Sequence, residues 1–426
     1  GTVSLASGAT QSGFGRTGTV DWQTGSIKTT TFTAANGEGY FVNTTSGAVT
    51  VNLPAASAGD IVAFKDYTNT FQTSNLNIVP NGSDKIGGTN ATYSASTEAL
   101  SLTLVYVDAG RGWLDIHEST QAAEGGVYIT ATGGTPCSGA IVCTDYKIHT
   151  FTGPGTFCVS AGAGAQSAAE YIVVAGGGGG GSPSGGGGGA GGFRFASPSL
   201  APVCYPGQPL AAPVALPISP GPYSISVGGG GPGSDGSSTS AAGQGTPGTL
   251  STFATITSAG GGGGASPTCT PGNTIGGPGG SGGGGGDPGG PAVGGTGNDP
   301  VTSPPQGRPG GTSQAGGGGV LAAGTGSPGS PSPSITPGGV GAGIPTAFGS
   351  NGTPCGSYRY YAGGGAGRFT CSPTVPTNKG GGGAGGNSGT AANGTVNTGG
   401  GAGGDGSGGA AGQGGSGIVI IRYKFQ

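Results

Sequence analysis

Six consecutive glycines at positions 176–181, and further runs like them downstream, set the terms on which this chain can fold. Fixing the backbone of a residue costs roughly 1–2 kcal/mol, and glycine loses more conformational freedom than any other residue. Of the 109 glycines, 85 lie in residues 171–426, so a hydrophobic core cannot order that part of the chain. Collagen is excluded, because the glycines come in solid runs and not at every third position. Ordinary disorder is a poor fit, since disordered chains are usually highly charged and only 7% of these residues carry charge. Another structure offsets the entropy. Polyglycine in an extended helix of three residues per turn (rise ~3.1 Å) turns every N–H and C=O outward. Such helices can pack side by side and bond one another's backbones, which satisfies the buried polar groups. Only glycine lets backbones approach that closely. We therefore expect residues 171–426 to form a glycine-rich domain of bundled polyglycine II helices, with a disordered glycine linker as the alternative. Segments rich in Pro, Ser and Thr (Ser182-Pro183-Ser184, Pro304-Pro305, 327–337) supply the reversals.

Rare apolar stretches punctuate the glycine region. Tyr171-Ile172-Val173-Val174-Ala175 opens it and Ile418-Val419-Ile420-Ile421-Arg422-Tyr423 closes the chain, with 223–227 and 253–257 between. An apolar strand makes little sense on a free tail, so the opening and closing strands are expected to pair in one sheet and frame the bundle.

The first 170 residues obey different rules. Val49, Val51 and Leu53 alternate with Thr50 and Asn52, and Leu100, Leu102, Leu104 and Tyr106 alternate with Ser101 and Thr103. Period-two patterning of this length marks half-buried strands. Turn chemistry separates them at Gly59-Asp60, Asn81-Gly82 and 108–112. No segment sustains a 3.6-residue period. The expected fold is mostly β with essentially no α-helix: an antiparallel β-sandwich-like domain at 1–120, a β connector at 121–170, and the glycine-rich domain at 171–426.

Composition also narrows function. With 13 Lys+Arg against 16 Asp+Glu, the net charge is −3, which leaves no basic excess for nucleic acid. No apolar run approaches the ~18 residues of a membrane span, and the opening residues do not read as a signal peptide. The chain holds no Met, so we expect it to be processed or to be part of something longer, with an attachment domain before Gly1. The only histidines, His117 and His149, lie in no nucleophile-like context and are expected on strand surfaces. Asp108 and Asp115 could be pictured as a glycosidase pair, yet in a strand–turn–strand setting they read as turn caps or solvent-facing acids. Gly-x-Gly-x-x-Gly matches carry no information inside glycine runs, and Lys379 is followed by glycines, not by the Ser/Thr of a phosphate loop. One stretch, 294–301, fits the calcium-binding β-helix repeat, but it stands alone and its period is broken. No catalytic, metal or cofactor site is expected.

The succession at 171–181, then Gly188-Gly189-Ala190-Gly191-Gly192-Phe193-Arg194, the segments at 223–231, 257–261 and 361–365, and the ending at 415–423 together resemble the glycine-rich domain of bacteriophage tail fibres and adhesins. Less specifically, 39–43, 49–54 and 59–63 resemble β-rich shaft or head domains of phage fibres. The resemblance implies a virion tail-fibre protein, trimeric along the fibre, whose partners are other virion proteins and a host cell-surface receptor (a glycan or an outer-membrane protein). It further implies that loops on a rigid glycine core touch the receptor. Tyr and Arg grip sugars or protein loops with little entropy loss. Tyr205, Tyr358, Arg359, Tyr360, Arg368 and Phe369 are therefore the candidate receptor-binding residues, while Phe193 and Tyr361, beside glycine runs, read as packing residues. Of seven cysteines, Cys355–Cys371, Cys137–Cys143 and Cys204–Cys269 are candidate disulfides, and all seven could equally be reduced. Two other functions remain open: a purely structural capsid fibre, decoration or filament subunit, and an ice-binding protein, although the contiguous runs and irregular loops fit the latter badly.

Overall fold

The computed structural model describes residues 20–116, 127–200, 203–236, 243–266, 274–286, 292–326, 336–368, 379–389 and 391–426. Among them, helical structure is limited to short 3-10 turns. The chain forms two compact units, Gly1–Tyr128 with Gly162–Ser167, and Ile129–Ala161 with Ala168–Gln426.

The first unit has two sheets around one core. Asp21–Trp22, Glu38–Val42, Ile61–Asp66, Ser101–Asp108 and Gly112–Asp115 form one, and Phe32–Thr33, Val49–Asn52, Leu76–Val79 and Tyr93–Ala95 the other. Val42, Leu53, Phe64, Phe71, Leu76, Leu104 and Trp113 fill the space within. The expected antiparallel arrangement is corrected here. Glu38–Val42 pairs in parallel with both of its neighbours, and so does Val49–Asn52. Antiparallel pairing starts only with Tyr93–Ala95 and Ser101–Asp108. The chain crosses to the opposite sheet between successive strands, so each return runs in the same direction. Alternation reports which face a side chain takes and is blind to strand direction. Asp66, buried, accepts from the backbone N–H groups of Thr70, Phe71 and Ala99, tying down two turns. Asp108 caps its own turn by accepting from Gly110 and Arg111.

In the second unit the opening strand Ala168–Val174 lies antiparallel to the closing strand Ile418–Lys424, with Tyr171 opposite Ile421. The expected pairing is present. Their sheet continues through Tyr146–Phe151 and Thr135–Val142 on one side and Phe193–Ala196 and Ala211–Ala212 on the other. Both faces are covered. Ile172, Val174, Ile418 and Ile420 meet Phe193, Phe195, Phe348 and Tyr361, while Tyr171, Val173, Val419, Ile421 and Tyr423 meet Phe157, Ile225 and Phe253. Burial on both sides is why these strands are apolar on both faces, apart from the paired Glu170 and Arg422 and the terminal Lys424, and do not alternate. Within the expected connector, Ile129–Ala161 falls in the glycine unit and Gly162–Ser167 in the first unit, and Tyr146–Phe151 pairs directly with the closing strand.

From this sheet the glycine runs extend. The N–H groups of residues 176–181 donate in turn to the carbonyls of Thr249, Gly415, Gly189, Thr246, Gly412 and Gly186. Each target strand recurs three residues later. The carbonyls of the same run accept from Gly261, Gly231, Ala402, Gly264, Ser234 and Asp405, again with a period of three. One run is thus bonded on six sides by six others, and neither a sheet nor an α-helix distributes its bonds in that way. A run at the edge exposes one position in three at Val293, Thr296 and Asp299.

Candidate functional site

The candidate receptor-binding residues fall at opposite ends of the glycine runs. At the strand end, Tyr358–Tyr361 is the central strand of a small sheet, between Ala342–Pro345 and Thr353–Cys355. Alternation along it sends Tyr361 into the core, where its hydroxyl donates to the Asn351 carbonyl at 2.8 Å and burial raises its pKa. Tyr360 is also buried. Its ring lies on Gly343, where a β-carbon would stand 2.7 Å from the ring, and the Lys379 ammonium sits 5.5 Å from its centre. Tyr358 and Arg359 are half-buried, Tyr358 against the apolar cluster. Tyr205 belongs to the same neighbourhood: the Gly207 N–H donates to the Gly343 carbonyl at 2.9 Å. Tyr205 is buried edge-on against Phe195 at 6.1 Å, and burial, with the Glu170 charge, raises its pKa. Tyr205 and Tyr360 are thus packing residues, a correction to their reading as receptor contacts. Phe193 and Tyr361 pack as expected.

Arg368 lies elsewhere. Residues 362–367, between it and the tyrosines, are a run through the bundle, bonded to Gly339, Gly188 and Gly383. Arg368 therefore lies at the other end of this run from Tyr361. There its guanidinium donates to the Ser184 hydroxyl at 2.7 Å and its N–H to the Gly185 carbonyl. Phe369 lies outside the described residues.

This far end is built around the Ser182–Ser184 reversal. The Ser182 carbonyl accepts from the hydroxyls of Ser234 and Ser266, and its own hydroxyl donates to the Gly409 carbonyl at 2.6 Å. Asp405, fully buried, accepts from the N–H groups of Gly389, Ser407 and Gly409. Four runs thereby end on one hydrogen-bonded plate, whose rim exposes Asp235, Thr312, Asn387 and Ser407. Sequence reasoning noted the Ser-Pro-Ser reversal but missed Asp405. The signal for it was there, as a single acid within an otherwise uncharged glycine run.

A family model described as a glycine-rich domain matches residues 150–424, more than half of the chain. The chain belongs to this glycine-rich domain family. A search of curated proteins found no match. The matched range of the glycine-rich domain begins within Tyr146–Phe151 and ends on the closing strand, two strands that pair with each other. It thus contains the runs together with the sheet that frames them.

Cys137, Cys143, Cys158 and Cys204 are exposed free thiols. The proposed Cys137–Cys143 staple is corrected, because both residues are free thiols. Cys269 and Cys371, the other suggested partners, lie outside the described residues, and Cys355 is half-buried. These four thiols are expected to react with a maleimide in the native protein, giving at least four adducts by mass without denaturant. His117 also lies outside the described residues. His149, expected on a surface, is instead fully buried, because its strand is covered on both faces.

Proposed function

We propose that the chain is a virion tail-fibre or adhesin protein that recognises a host cell surface through turns held at the far end of a core of bundled polyglycine II helices. The observation that carries this reading is the three-residue bonding period, in which one run is fastened to six others. Three residues per turn is the period of the polyglycine II helix, and that packing leaves little freedom for bending. A rigid, nearly uncharged core with polar turns at its end suits a presenting scaffold better than a catalyst. The far-end rim is built from short hydroxyl, amide and acid side chains with Arg368 beside them, the chemistry that hydrogen-bonds a sugar or a protein loop.

The strand end serves the proposal less well. Leu210 and Tyr205 are part of the core there, so removing them would unfold the domain and not merely blunt it. The test is made at the far end. Purified protein, labelled at its exposed thiols, is titrated onto a panel of bacterial strains. Saturable binding to particular strains is expected. Thr312→Arg with Ser407→Arg, both on exposed turns, should lower that binding at least tenfold while leaving the melting temperature unchanged. Binding that survives both substitutions, or binding to no strain, would reject the reading.

A further inference from the structure

We propose that His149 is an acid-operated latch on the closing strand: neutral, it locks Ile418–Lys424 in place, and protonated, it releases it. Its Nδ1 is 2.6 Å from the Gly133 carbonyl, which can only accept, so Nδ1 carries the proton. Its Nε2, 2.9 Å from the Tyr423 hydroxyl, is therefore the acceptor in the neutral ring. The Tyr423 oxygen in turn takes the Ala131 N–H. Each hydrogen in this chain has an acceptor only while the imidazole is neutral; a second proton on Nε2 would force the Tyr423 hydroxyl to turn away and give up the acceptor of its own hydrogen.

The surroundings offer the cation nothing else. The ring is stacked on Tyr423 at 5.6 Å and meets the edge of Phe157 at 5.2 Å. Gly139 closes over it, where a β-carbon would come within 2.6 Å of Nε2. Tyr423, Tyr171 and Tyr223 are the titratable groups in the cluster on this face, Arg194 lies beside Tyr171, and the charge that reaches the ring is the like-signed Lys147. Arg422 and Glu170 lie on the opposite face of the sheet, with Tyr146 and Phe348. Burial accordingly pushes the His149 pKa below its ordinary 6.5. A depressed pKa means that the unfolded chain binds the proton first. Stability is then intact above about pH 6.5 and is lost as the pH falls from there through the folded value.

The location makes this local event consequential. Tyr423 sits on the strand that closes the glycine domain, and His149 on the strand hydrogen-bonded beside it, with His149 opposite Ile421. Hydrogen exchange followed by mass spectrometry between pH 7.5 and 5 tests the latch, after correction for intrinsic rates. Protection of 418–424 should fall at least tenfold, while Glu38–Val42 in the other unit serves as the unchanged reference. His149→Gln can donate and accept but cannot charge, and should flatten that dependence. Should this variant fail to fold, the imidazole itself is read by NMR, with His117→Gln to assign the two signals. The latch requires that His149 stay neutral well below the ordinary range and that its protonation coincide with loosening of the closing strand. An ordinary titration, or the same pH dependence in His149→Gln, would overturn it.

Discussion

Gly178→Ala is expected to prevent the glycine domain from folding, whereas Gly229→Ala should leave it intact or slightly more stable. Both changes add one methyl group to a glycine run. At Gly178 the methyl would overlap the Gly262 carbonyl oxygen, with a second backbone carbonyl, that of Gly261, at 2.9 Å. Neither can move alone. Gly178 donates to Gly189 and accepts from Ala402, and Gly262 donates to Ser281 and accepts from Gly189, so separating one pair strains several runs. Close packing without flexible side chains leaves no route of relaxation, and we expect a loss above about 4 kcal/mol, at the extreme of single substitutions. At Gly229, on an exposed edge, the nearest atom to the methyl would be the Thr249 hydroxyl at 3.9 Å. Restricting the unfolded chain there is worth about 0.4–1 kcal/mol in favour of the fold. Thermal unfolding and soluble yield of the two variants decide the matter. Equal tolerance at both sites would mean that the runs are not packed backbone to backbone.

Glu170→Ala should be the most damaging substitution outside the runs. Glu170 and Arg422 are almost wholly buried and form an ion pair across the opening and closing strands. Arg422 also stacks on Tyr146 at 3.6 Å and donates to the Ser199 hydroxyl, while Glu170 accepts from the Ser197 hydroxyl and the Ser199 N–H. Removing the carboxylate leaves a guanidinium that cannot shed its charge in an apolar layer. Breaking a buried pair in this way costs about 3–5 kcal/mol, a fall of roughly 10 °C in melting temperature for a domain of this size. Replacing both partners by apolar residues of similar volume (Glu170→Leu with Arg422→Met) is often close to neutral and should recover at least half of that loss. If the single substitution costs less than about 1 kcal/mol, the pair does not hold the two strands together.

Much of this architecture was legible in the residues. The step in glycine content marked where the glycine runs begin, although the compact unit that holds them starts upstream at Ile129, and two apolar strands at the edges of the glycine region announced the sheet that frames it. The strands of the first unit were visible in alternation, but their parallel direction was not, since a period of two encodes a face and nothing about polarity. His149 and Arg422 were hidden for a related reason. Each sits in a strand buried on both sides, so a polar residue there looks from sequence like a surface position. The tyrosines and Arg368 were misleading in the opposite way, because proximity in sequence across Ala362–Gly367 becomes distance once that stretch runs the length of the bundle.

The sequence by itself determined that the glycine half must be ordered by its backbone, because glycine offers no other group with which to make contacts. Which runs lie side by side, and which residues come to its far end, only the tertiary structure decided. Glycine runs are nearly interchangeable as sequences, and their partners are selected by the lengths of the runs and the reversals that join them.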